Sequence, residues 1–303
     1  MNDFLIYSPS FGDYKRRAKE FIEVLRSRGL KVGLVESSLG GFLSHTIVSF
    51  KGASKIFVGS VIPYSYDMKN FFNFSSPNGA VSEDYANRSA EIFLNISKAD
   101  LVVSESSILG PEGGSEQKPV GLSFVSIFSN KGRTSFVNLF RGCRRKIMEE
   151  IASFCFFAAK NHIIGWDFQK RSVSSTFLCY NGKILLMRRS KKVGTYRGMW
   201  GVVSGHIEEG ETPLETALKE IEEETSIKRD SLSNIVQGTQ FEVVDPVIGV
   251  KWEINPFRAE INKAILKIDW EHTRYKFIKP SDIYKFRTAP MLYEGYLKTF
   301  FRF

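Results

Sequence analysis

The chain has 303 residues, a formal net charge of +9 and 43% hydrophobic residues. This length exceeds the roughly 100–200 residues of one typical domain, so we expect two domains. The ordinary hydrophobic and charged fractions exclude a disordered, collagen-like or coiled-coil protein. The positive charge is spread along the chain rather than gathered in one segment, which favours small-molecule nucleotides over nucleic acid as partners.

The three cysteines are odd in number and lack the spacing of a zinc site or a disulfide framework, so we expect a reducing, cytoplasmic location. The N-terminal MNDFLIYSPS lacks the basic and apolar regions of an export signal. The most apolar window, ASFCFFAA, is far shorter than the roughly 20 residues of a membrane-spanning helix. We therefore expect no membrane partner.

The first half of the chain alternates between helical and strand-like patterns. Apolar residues recur at helical spacing over residues 14–28, Gly29 is typical of a helix end, and LKVGLV then predicts a buried strand. Further along, KIFVGSVI predicts a strand, EDYANRSAEIFLNIS a helix and ADLVVSE another strand. Such alternation predicts an α/β fold, here a three-layer α/β/α sandwich.

The periodicity lapses between residues 158 and 172, which predicts a domain boundary and gives domains 1–160 and 161–303. Beyond it, two strand-like runs flank Asn181 and Gly182, a pair that tolerates the positive φ of a tight hairpin. The second domain is therefore expected to be richer in antiparallel strands. The histidines show no ligand spacing, and we expect surface or core positions for them: His45, His162, His206 and His272.

A strongly acidic segment, GHIEEGETPLETALKEIEEETSI, spans residues 205–227. Thr212, Pro213 and Glu215 form a helix-start signal, and the helix is expected to run to about Thr225. At about 100° per residue, three glutamates share one side of this helix: Glu220, Glu223 and Glu224. Like charges at this spacing repel, so the cluster favours a bound Mg²⁺ ion, with a solvated acidic face as the alternative.

The acidic segment resembles the Nudix box. It matches that box at seven positions: Gly205, Glu211, Glu220, Ile221, Glu223, Glu224 and Ile227. It departs from the box at Lys219, where the family has Arg, and at Ser226, where the family has Gly. Because GKILLMRRS, GMWGVVSGHIE and FIKPSDI resemble the flanking segments of the family, the resemblance covers about residues 172–303. It implies the Nudix α/β/α fold with a mixed sheet.

The resemblance also implies hydrolysis of a nucleoside diphosphate linked to another group, with Mg²⁺, or Mn²⁺ in its place, as cofactor. Glu220, Glu223 and Glu224 would bind the metal ion, and one of them, or a carboxylate elsewhere, would orient or deprotonate the attacking water. Three arginines are candidates for the substrate phosphates, with solvated surface positions as the alternative: Arg188, Arg189 and Arg197. Lys219 lacks the rigid fork of Arg, so we expect it to orient a catalytic carboxylate less tightly.

The first domain contains five short motifs: VESSLGG, GSVIPYSYDMK, GAVSEDYA, ILGPEGGSEQKPVG and FRGCRRKI. The first follows a strand and opens a helix, where unpaired backbone amides can hold a phosphate. In order and spacing, the five resemble the C-terminal domain of the CinA family over roughly residues 10–158. That domain is a nicotinamide mononucleotide (NMN) amidohydrolase, so the resemblance implies its fold and raises amide hydrolysis as a candidate activity.

The CinA resemblance implies Ser37, Tyr64 and Lys69 as catalytic residues, with Ser37 as the nucleophile or the activator of water and Lys69 as a candidate base for it. The substrate-binding residues would be Gly40, Gly41, Ser106 and Arg144. The chain departs from the family motifs at Ser38, Leu39, Tyr66, Ser107 and Cys143. These departures leave two alternatives open, a divergent enzyme or a domain kept for ligand binding or for forming a homodimer.

The two resemblances together predict a Nudix domain that cleaves NAD or ADP-ribose beside a domain built for NMN, in pyridine nucleotide recycling. Cleavage of NAD would then supply the substrate of the first domain. One alternative is nucleotide sanitation or removal of a 5′ cap from RNA, with a structural first domain. The other is a nucleotide sensor without catalytic activity.

Overall fold

The computed structural model describes residues 6–74 and 76–301. The first five residues of the segment inspected for an export signal lie outside this range. One compact unit spans Ser8–Phe168, and the other comprises residues 169–301 together with residues 6 and 7. Each unit has a mixed α/β structure with its own sheet, as expected. In the described ranges, no helix is long and apolar enough to cross a membrane.

The first unit is built on a mixed sheet flanked by helices. Its helices are α1 (Tyr14–Arg28), α2 (Phe42–Val48), α3 (Tyr66–Lys69), α4 (Glu83–Ile96) and α5 (Arg144–Ile164). Its strands are β1 (Val32–Glu36), β2 (Phe57–Val61), β3 (Leu101–Ser107), β4 (Leu122–Ser129) and β5 (Gly132–Leu139). The sheet order is β2-β1-β3-β4-β5; β1 runs parallel to β2 and β3, and the remaining pairs are antiparallel.

Helix α1 covers the residues over which the periodicity predicts a helix. Asp13 caps its start by accepting a hydrogen bond from the Arg16 amide, and Gly29, with φ of 64°, ends it. Its apolar stripe is buried at Ala18, Phe21, Ile22 and Leu25. Strand β1 is buried at every residue, which explains why its sequence is continuously apolar up to Glu36.

Helix α5 crosses the predicted domain boundary at residue 160 and continues to Ile164. The structure divides the chain a few residues later, between Phe168 and Gln169. The helix is buried on several sides, at residues that include Phe154, Cys155 and Phe156. A helix buried in this way has no polar face, so its sequence does not show a one-sided apolar stripe.

The second unit contains a mixed sheet with helices α6 (Pro213–Thr225) and α7 (Leu292–Lys298). Its strands are β6 (Gln169–Tyr180), β7 (Lys183–Arg189), β8 (Trp200–Gly201), β9 (Val203–His206), β10 (Leu232–Gln237), β11 (Phe241–Asp245), β12 (Val250–Ile261) and β13 (His272–Ile278). The main sheet order is β10-β12-β6-β7-β13, with β8 on β7, β9 on β6 and β11 on β12. Strands β6 and β12 pair in parallel, whereas the other pairs are antiparallel.

The predicted hairpin joins β6 to β7, and Asn181 and Gly182 have φ values of 47° and 71°. Helix α6 begins with the predicted capping box, in which Thr212 and Glu215 bond each other's backbone amides. It packs against β6 and β9. Its buried face includes Ala217 and Ile221; helical spacing places Leu214 on the same side, but Leu214 is 39% exposed.

Candidate functional site

The acidic helix α6 lies directly on strand β9 at Gly205. A Cβ atom added to Gly205 would come within 1.9 Å of Glu220 Oε1. No larger residue could therefore occupy position 205 while Glu220 keeps this place. The glycine of the motif thus sets the position of the first glutamate of the predicted metal set.

Glu224, one turn further along α6, is buried, with 4% of its surface exposed. It accepts a hydrogen bond from the Ser204 backbone. Burial, followed by the neighbouring carboxylates of Glu220 and Asp269, raises the pKa of Glu224 well above its ordinary value. Its Oε2 atom has no hydrogen-bond partner among the residues that the structure describes, and we call this atom the open oxygen of Glu224.

The three predicted metal-binding glutamates do not share one environment. Glu223 is exposed, Glu224 is buried and Glu220 is half-buried. Burial and the charge of Glu223 raise the pKa of Glu220. Over residues 6–74 and 76–301, no three His, Cys, Asp or Glu side chains are grouped so that they could hold a metal ion. Even so, Glu220 and Glu224 are two desolvated carboxylates, and the open oxygen of Glu224 is an oxygen donor of the kind that a hard divalent cation needs.

Three residues missed by the motif analysis lie near the predicted glutamates, two beside Glu224 and one beside Glu220. The Asp269 amide donates to the Glu224 carbonyl at 3.3 Å. Asp269 Oδ1 also lies 2.9 Å from His272 Nδ1, and His272 Nε2 lies 4.0 Å from the open oxygen of Glu224. Glu271 adds a further carboxylate near Glu220. Their only sequence signal is the acidic run DWEHT, which carries no motif spacing.

A cavity of about 320 Å³ opens beside Glu220. One part of its wall is charged and is formed by Arg189, Glu208, Lys219, Glu220 and Glu271. The other part is aromatic and aliphatic and includes Phe177, Phe241, Val243, Trp252, Ile254 and Met291. The structure therefore joins an apolar compartment to a charged one in a single space.

Of the three arginines predicted to bind phosphate, Arg189 lines this cavity. Its Nε donates to the Thr195 carbonyl at 3.1 Å, which fixes the guanidinium on the cavity wall. Arg188 and Arg197 are exposed, and each donates its Nε to a nearby backbone carbonyl, at 3.2 Å and 2.7 Å. The geometry thus favours Arg189 for contact with a ligand in the cavity.

The apolar compartment contains a hydrogen-bonded chain that the sequence did not reveal. Trp252 Nε1 donates to the Tyr196 hydroxyl at 2.7 Å, and this hydroxyl donates to Asp245 Oδ2 at 2.9 Å. The His206 ring lies 5.8 Å from the Trp252 ring, centroid to centroid. These contacts fix the aromatic planes, so the compartment has a rigid flat wall.

Lys219 stands where the Nudix box has Arg, and it forms an ion pair with Glu211, the first glutamate of the box. Its Nζ lies 3.2 Å from Glu211 Oε1, and this hydrogen bond raises the pKa of Lys219. The Thr216 hydroxyl donates to the other Glu211 oxygen at 2.9 Å. The pair holds Lys219 at the edge of the cavity, close to the charged wall.

In the first unit, the predicted motif residues gather at one edge of the sheet. Ser37 follows β1, Tyr64 follows β2, and Ser106 lies near the end of β3; because these three strands are parallel, their carboxyl ends share that edge. Arg144, at the start of α5, donates to the Tyr64 hydroxyl at 2.9 Å and to the Gly110 carbonyl at 2.8 Å.

The GAVSEDYA motif is held at the same edge by a hydrogen bond from a buried serine hydroxyl. Ser106 Oγ donates to the Ala80 carbonyl at 2.6 Å. Ala80 belongs to the GAVSEDYA motif, whereas Gly110 belongs to ILGPEGGSEQKPVG. All five motifs therefore meet at this edge of the sheet. The hydrogen bonds of Ser106 and Arg144 connect the motifs to one another, so these two residues have a structural role here.

Two buried glutamates, missed by the sequence analysis, occupy backbone amides that were expected to be free for a phosphate. Glu36 accepts hydrogen bonds from the amides of Leu43 and Ser44 at 2.8 Å and 2.9 Å. Glu105 accepts them from the amides of Ser38 and Leu39 at 2.8 Å and 2.9 Å. The expectation of free amides is therefore wrong at these four positions.

Gly40 and Gly41 lie between these two sets of amides, with φ values of 63° and 94°. This left-handed conformation suits glycine and turns the chain into α2. The structure places both glycines at the edge where the motifs meet, as the sequence predicted, but shows no ligand contact for them. Their assignment to substrate binding stays a prediction.

Ser37 is buried, with 2% of its surface exposed. Its Oγ lies near the Tyr85 hydroxyl without hydrogen-bond geometry, and within the described part of the chain it has no partner. Lys69 is half-buried; burial lowers its pKa, an effect opposed by the nearby Glu105 charge. The predicted nucleophile is thus free of structural bonds, and the predicted base loses its proton more readily than an exposed lysine.

Comparison with known proteins assigns both halves. The family model for the CinA C-terminal domain matches residues 15–162, and that for the NUDIX domain matches residues 170–298. A CinA-like protein of Thermotoga sp. (strain RQ2) is 34% identical over 149 residues, which are 48% of this chain and 36% of that protein. One of Prochlorococcus marinus (strain MIT 9215) is 38% identical over 132 residues, 42% of this chain and 31% of that protein. The chain spans about a third of the length of these curated relatives.

Solved structures resemble each half. A CinA superfamily protein from Klebsiella pneumoniae 700603 is 19% identical, with a TM-score of 0.49, over 51% of this chain and 99% of that chain. A MutT protein from Methanosarcina mazei Go1 is 23% identical, with a TM-score of 0.36, over 43% of this chain and 91% of that chain. On the family matches, this chain contains a CinA C-terminal domain over residues 15–162, followed by a NUDIX domain over residues 170–298.

Proposed function

We propose that the NUDIX domain hydrolyses a nucleoside diphosphate derivative, NAD or ADP-ribose, and that the CinA C-terminal domain deamidates NMN, the two acting in pyridine nucleotide recycling. The observation that carries the first step is the single cavity of about 320 Å³ with one aromatic and one charged wall. Cavities of this size hold small molecules. A nucleotide has the matching halves, a flat base and a charged pyrophosphate.

The aromatic wall suits the base. The Trp252 ring is fixed by its bond to Tyr196, and the His206 ring lies beside it. A planar heterocycle placed against rings held in this way loses little side-chain entropy on binding. The charged wall then receives the phosphates, where Arg189 and Lys219 supply positive charge.

Glu220 and Glu224 would hold the divalent cation, Mg²⁺ or Mn²⁺, which offsets negative charge on the pyrophosphate when it is bound. A carboxylate at this wall, Glu271 among the candidates, takes the proton of the attacking water. The water oxygen bonds to one phosphorus, and the bond from that phosphorus to the bridging oxygen breaks. NAD would yield AMP and NMN in this way.

The buried Ser37 hydroxyl and the half-buried Lys69 amine support amide hydrolysis in the CinA C-terminal domain. Ser37, activated by Lys69, would attack the carboxamide of NMN and release ammonia, and water would then release the acid. The alternative is a domain that binds the nucleotide without turnover, which the departures at Ser38 and Leu39 favour.

Product analysis of the intact chain tests both steps. Incubation with NAD and Mg²⁺ is expected to give AMP and NMN, followed by deamidated mononucleotide and an equal amount of ammonia. If NAD and ADP-ribose are not cleaved while nucleoside triphosphates or capped RNA are cleaved rapidly, the proposed substrate is wrong. Tight NAD binding without any product would instead support a nucleotide sensor.

A further inference from the structure

His272, at the start of β13, has a buried ring whose two nitrogens face two different acidic groups. Its side chain is 1% exposed, and that of Glu224 is 5% exposed. Nδ1 lies 2.9 Å from Asp269 Oδ1. An ionised carboxylate can only accept a hydrogen bond, so Nδ1 carries the proton of the neutral ring. Nε2 then presents a lone pair.

This nitrogen lies 4.0 Å from the open oxygen of Glu224. The separation is too long for a hydrogen bond between the two atoms. It lies within the span of two ligand bonds of about 2.1 Å to one shared ion. A nitrogen donor and an oxygen donor are therefore both within reach of one shared ion.

The Asp269 contact strengthens this interpretation. A histidine that binds a metal usually donates its other ring N–H to a carboxylate or carbonyl, which fixes the tautomer and orients the ring. The pair Asp269 and His272 has this arrangement, with the second nitrogen directed at a glutamate of the predicted metal set. Nothing in the motif spacing includes His272 in that set.

We propose that His272 is a nitrogen ligand of the divalent metal site of the NUDIX domain, that it shares the ion with Glu224, and that it favours transition metals such as Mn²⁺ over Mg²⁺. This inference rests on the proposed metal-dependent function and names one donor of that site. An imidazole donor favours a transition ion, since Mg²⁺ prefers oxygen ligands throughout.

The test uses the intact chain loaded with Mn²⁺ alone. Electron spin-echo spectroscopy of the bound ion is expected to show coupling to an imidazole nitrogen. This coupling should disappear in His272→Gln and persist in His45→Gln, which removes an exposed histidine of the first domain. His272→Gln should also weaken Mn²⁺ binding by at least about tenfold, and Mg²⁺ binding less, when measured by competition.

A second variant acts on the ring without removing it. Asp269→Asn no longer holds the ring with a full negative charge, and we expect Mn²⁺ affinity to fall by about 10-fold to 100-fold while the nitrogen coupling remains. If His272→Gln fails to fold, which circular dichroism will show, the wild-type spectrum and Asp269→Asn still decide the question.

Bound Mn²⁺ without nitrogen coupling, in a protein that still cleaves NAD, would overturn the inference and leave the proposed function intact. Coupling that survives in His272→Gln would overturn it equally. If the wild-type protein binds neither Mn²⁺ nor Mg²⁺, the inference is wrong as well, and NAD cleavage in a chelator then decides separately whether the proposed function needs a metal.

Discussion

Glu105 of the CinA C-terminal domain and Glu224 of the NUDIX domain are both buried carboxylates, but they are satisfied to different degrees. Glu105 accepts the amides of Ser38 and Leu39 with one oxygen and the hydroxyls of Ser38 and Ser107 with the other. Glu224 accepts a hydrogen bond from the Ser204 backbone amide, whereas its Oε2 atom has no hydrogen-bond partner in residues 6–74 or 76–301. A buried polar atom without a partner is costly, so its retention indicates a ligand.

The same contrast separates two adjacent serines. The Ser38 hydroxyl bonds to Glu105 and helps to hold the strand-to-helix turn. The neighbouring Ser37 hydroxyl is buried and, in the described part of the chain, lies near the Tyr85 hydroxyl without hydrogen-bond geometry. In these two pairs, the satisfied group holds the structure, and the unsatisfied group is the one to which the proposed function assigns chemistry. The following predictions test this distinction.

Replacing Ser37 with Ala is expected to have the largest effect. Loss of the nucleophile should reduce ammonia release from NMN by at least about 1,000-fold, while NAD cleavage continues unchanged. The matched variant Ser38→Ala removes only a structural hydroxyl and should retain ammonia release. An assay of ammonia and AMP in parallel measures both steps. Equal loss in the two variants would contradict the distinction.

Replacing Glu105 with Met should mainly lower stability. The change leaves two buried amides and two hydroxyls without their acceptor, so we expect the free energy of unfolding of the first domain to fall by about 3 kcal/mol. Hydrogen exchange in β1 and β3 measures this domain separately. Glu112→Met, at an exposed position, is the control and should change stability by less than about 0.5 kcal/mol.

Replacing Glu224 with Gln should have the opposite profile. The buried charge disappears without a change in shape, so the thermal midpoint should stay the same or rise in the absence of metal. Hydrolysis should fall by at least about 100-fold, because a metal ligand is lost. Glu222→Gln, exposed on the same helix, is the matched control. Unchanged turnover in Glu224→Gln would show that the open oxygen has no catalytic role.

Glu223→Gln extends the comparison to the exposed member of the set. The sequence gives Glu223 the same role as Glu224, so its loss should also lower turnover by about 100-fold. Its exposure predicts that folding is unaffected. Normal turnover in this variant would remove Glu223 from the ligand set and leave Glu220 and Glu224 in it.

The elements that the sequence predicted well depend on local signals. Gly29 ends α1, Asn181 and Gly182 form the hairpin, and Thr212 caps α6 through contacts within a few residues. The end of α5 and the parallel pairing of β6 with β12 could not be predicted in this way. Both depend on residues distant in the chain, which periodicity does not encode.

The candidate site follows the same rule. Helical spacing placed Glu220, Glu223 and Glu224 together, but it could not show which of them is buried. That outcome depends on β9, which packs against α6, and on the start of β13, where His272 Nε2 lies 4.0 Å from Glu224 Oε2. Likewise, the spacing of the CinA motifs located Ser37, whereas only the fold shows that Glu105 binds the amides beside it.

The smallest expected effect concerns Glu36, the second satisfied carboxylate of the first domain. Burial raises its pKa above the ordinary value of 4.5 despite its bonds to Leu43 and Ser44. The folded state therefore binds this proton more tightly than the unfolded state. Protonated Glu36 makes its full contribution to the free energy of unfolding below a pH of about 4.5, and this contribution is lost as the pH rises through the folded-state pKa. Relative to Glu36→Gln, the wild type should lose stability over that range, by at most about 1.4 kcal/mol per pH unit. Hydrogen exchange of β1 in both proteins between pH of about 4 and 8 measures this difference, and a constant difference would mean that the carboxylate is as well solvated by its amides as by water.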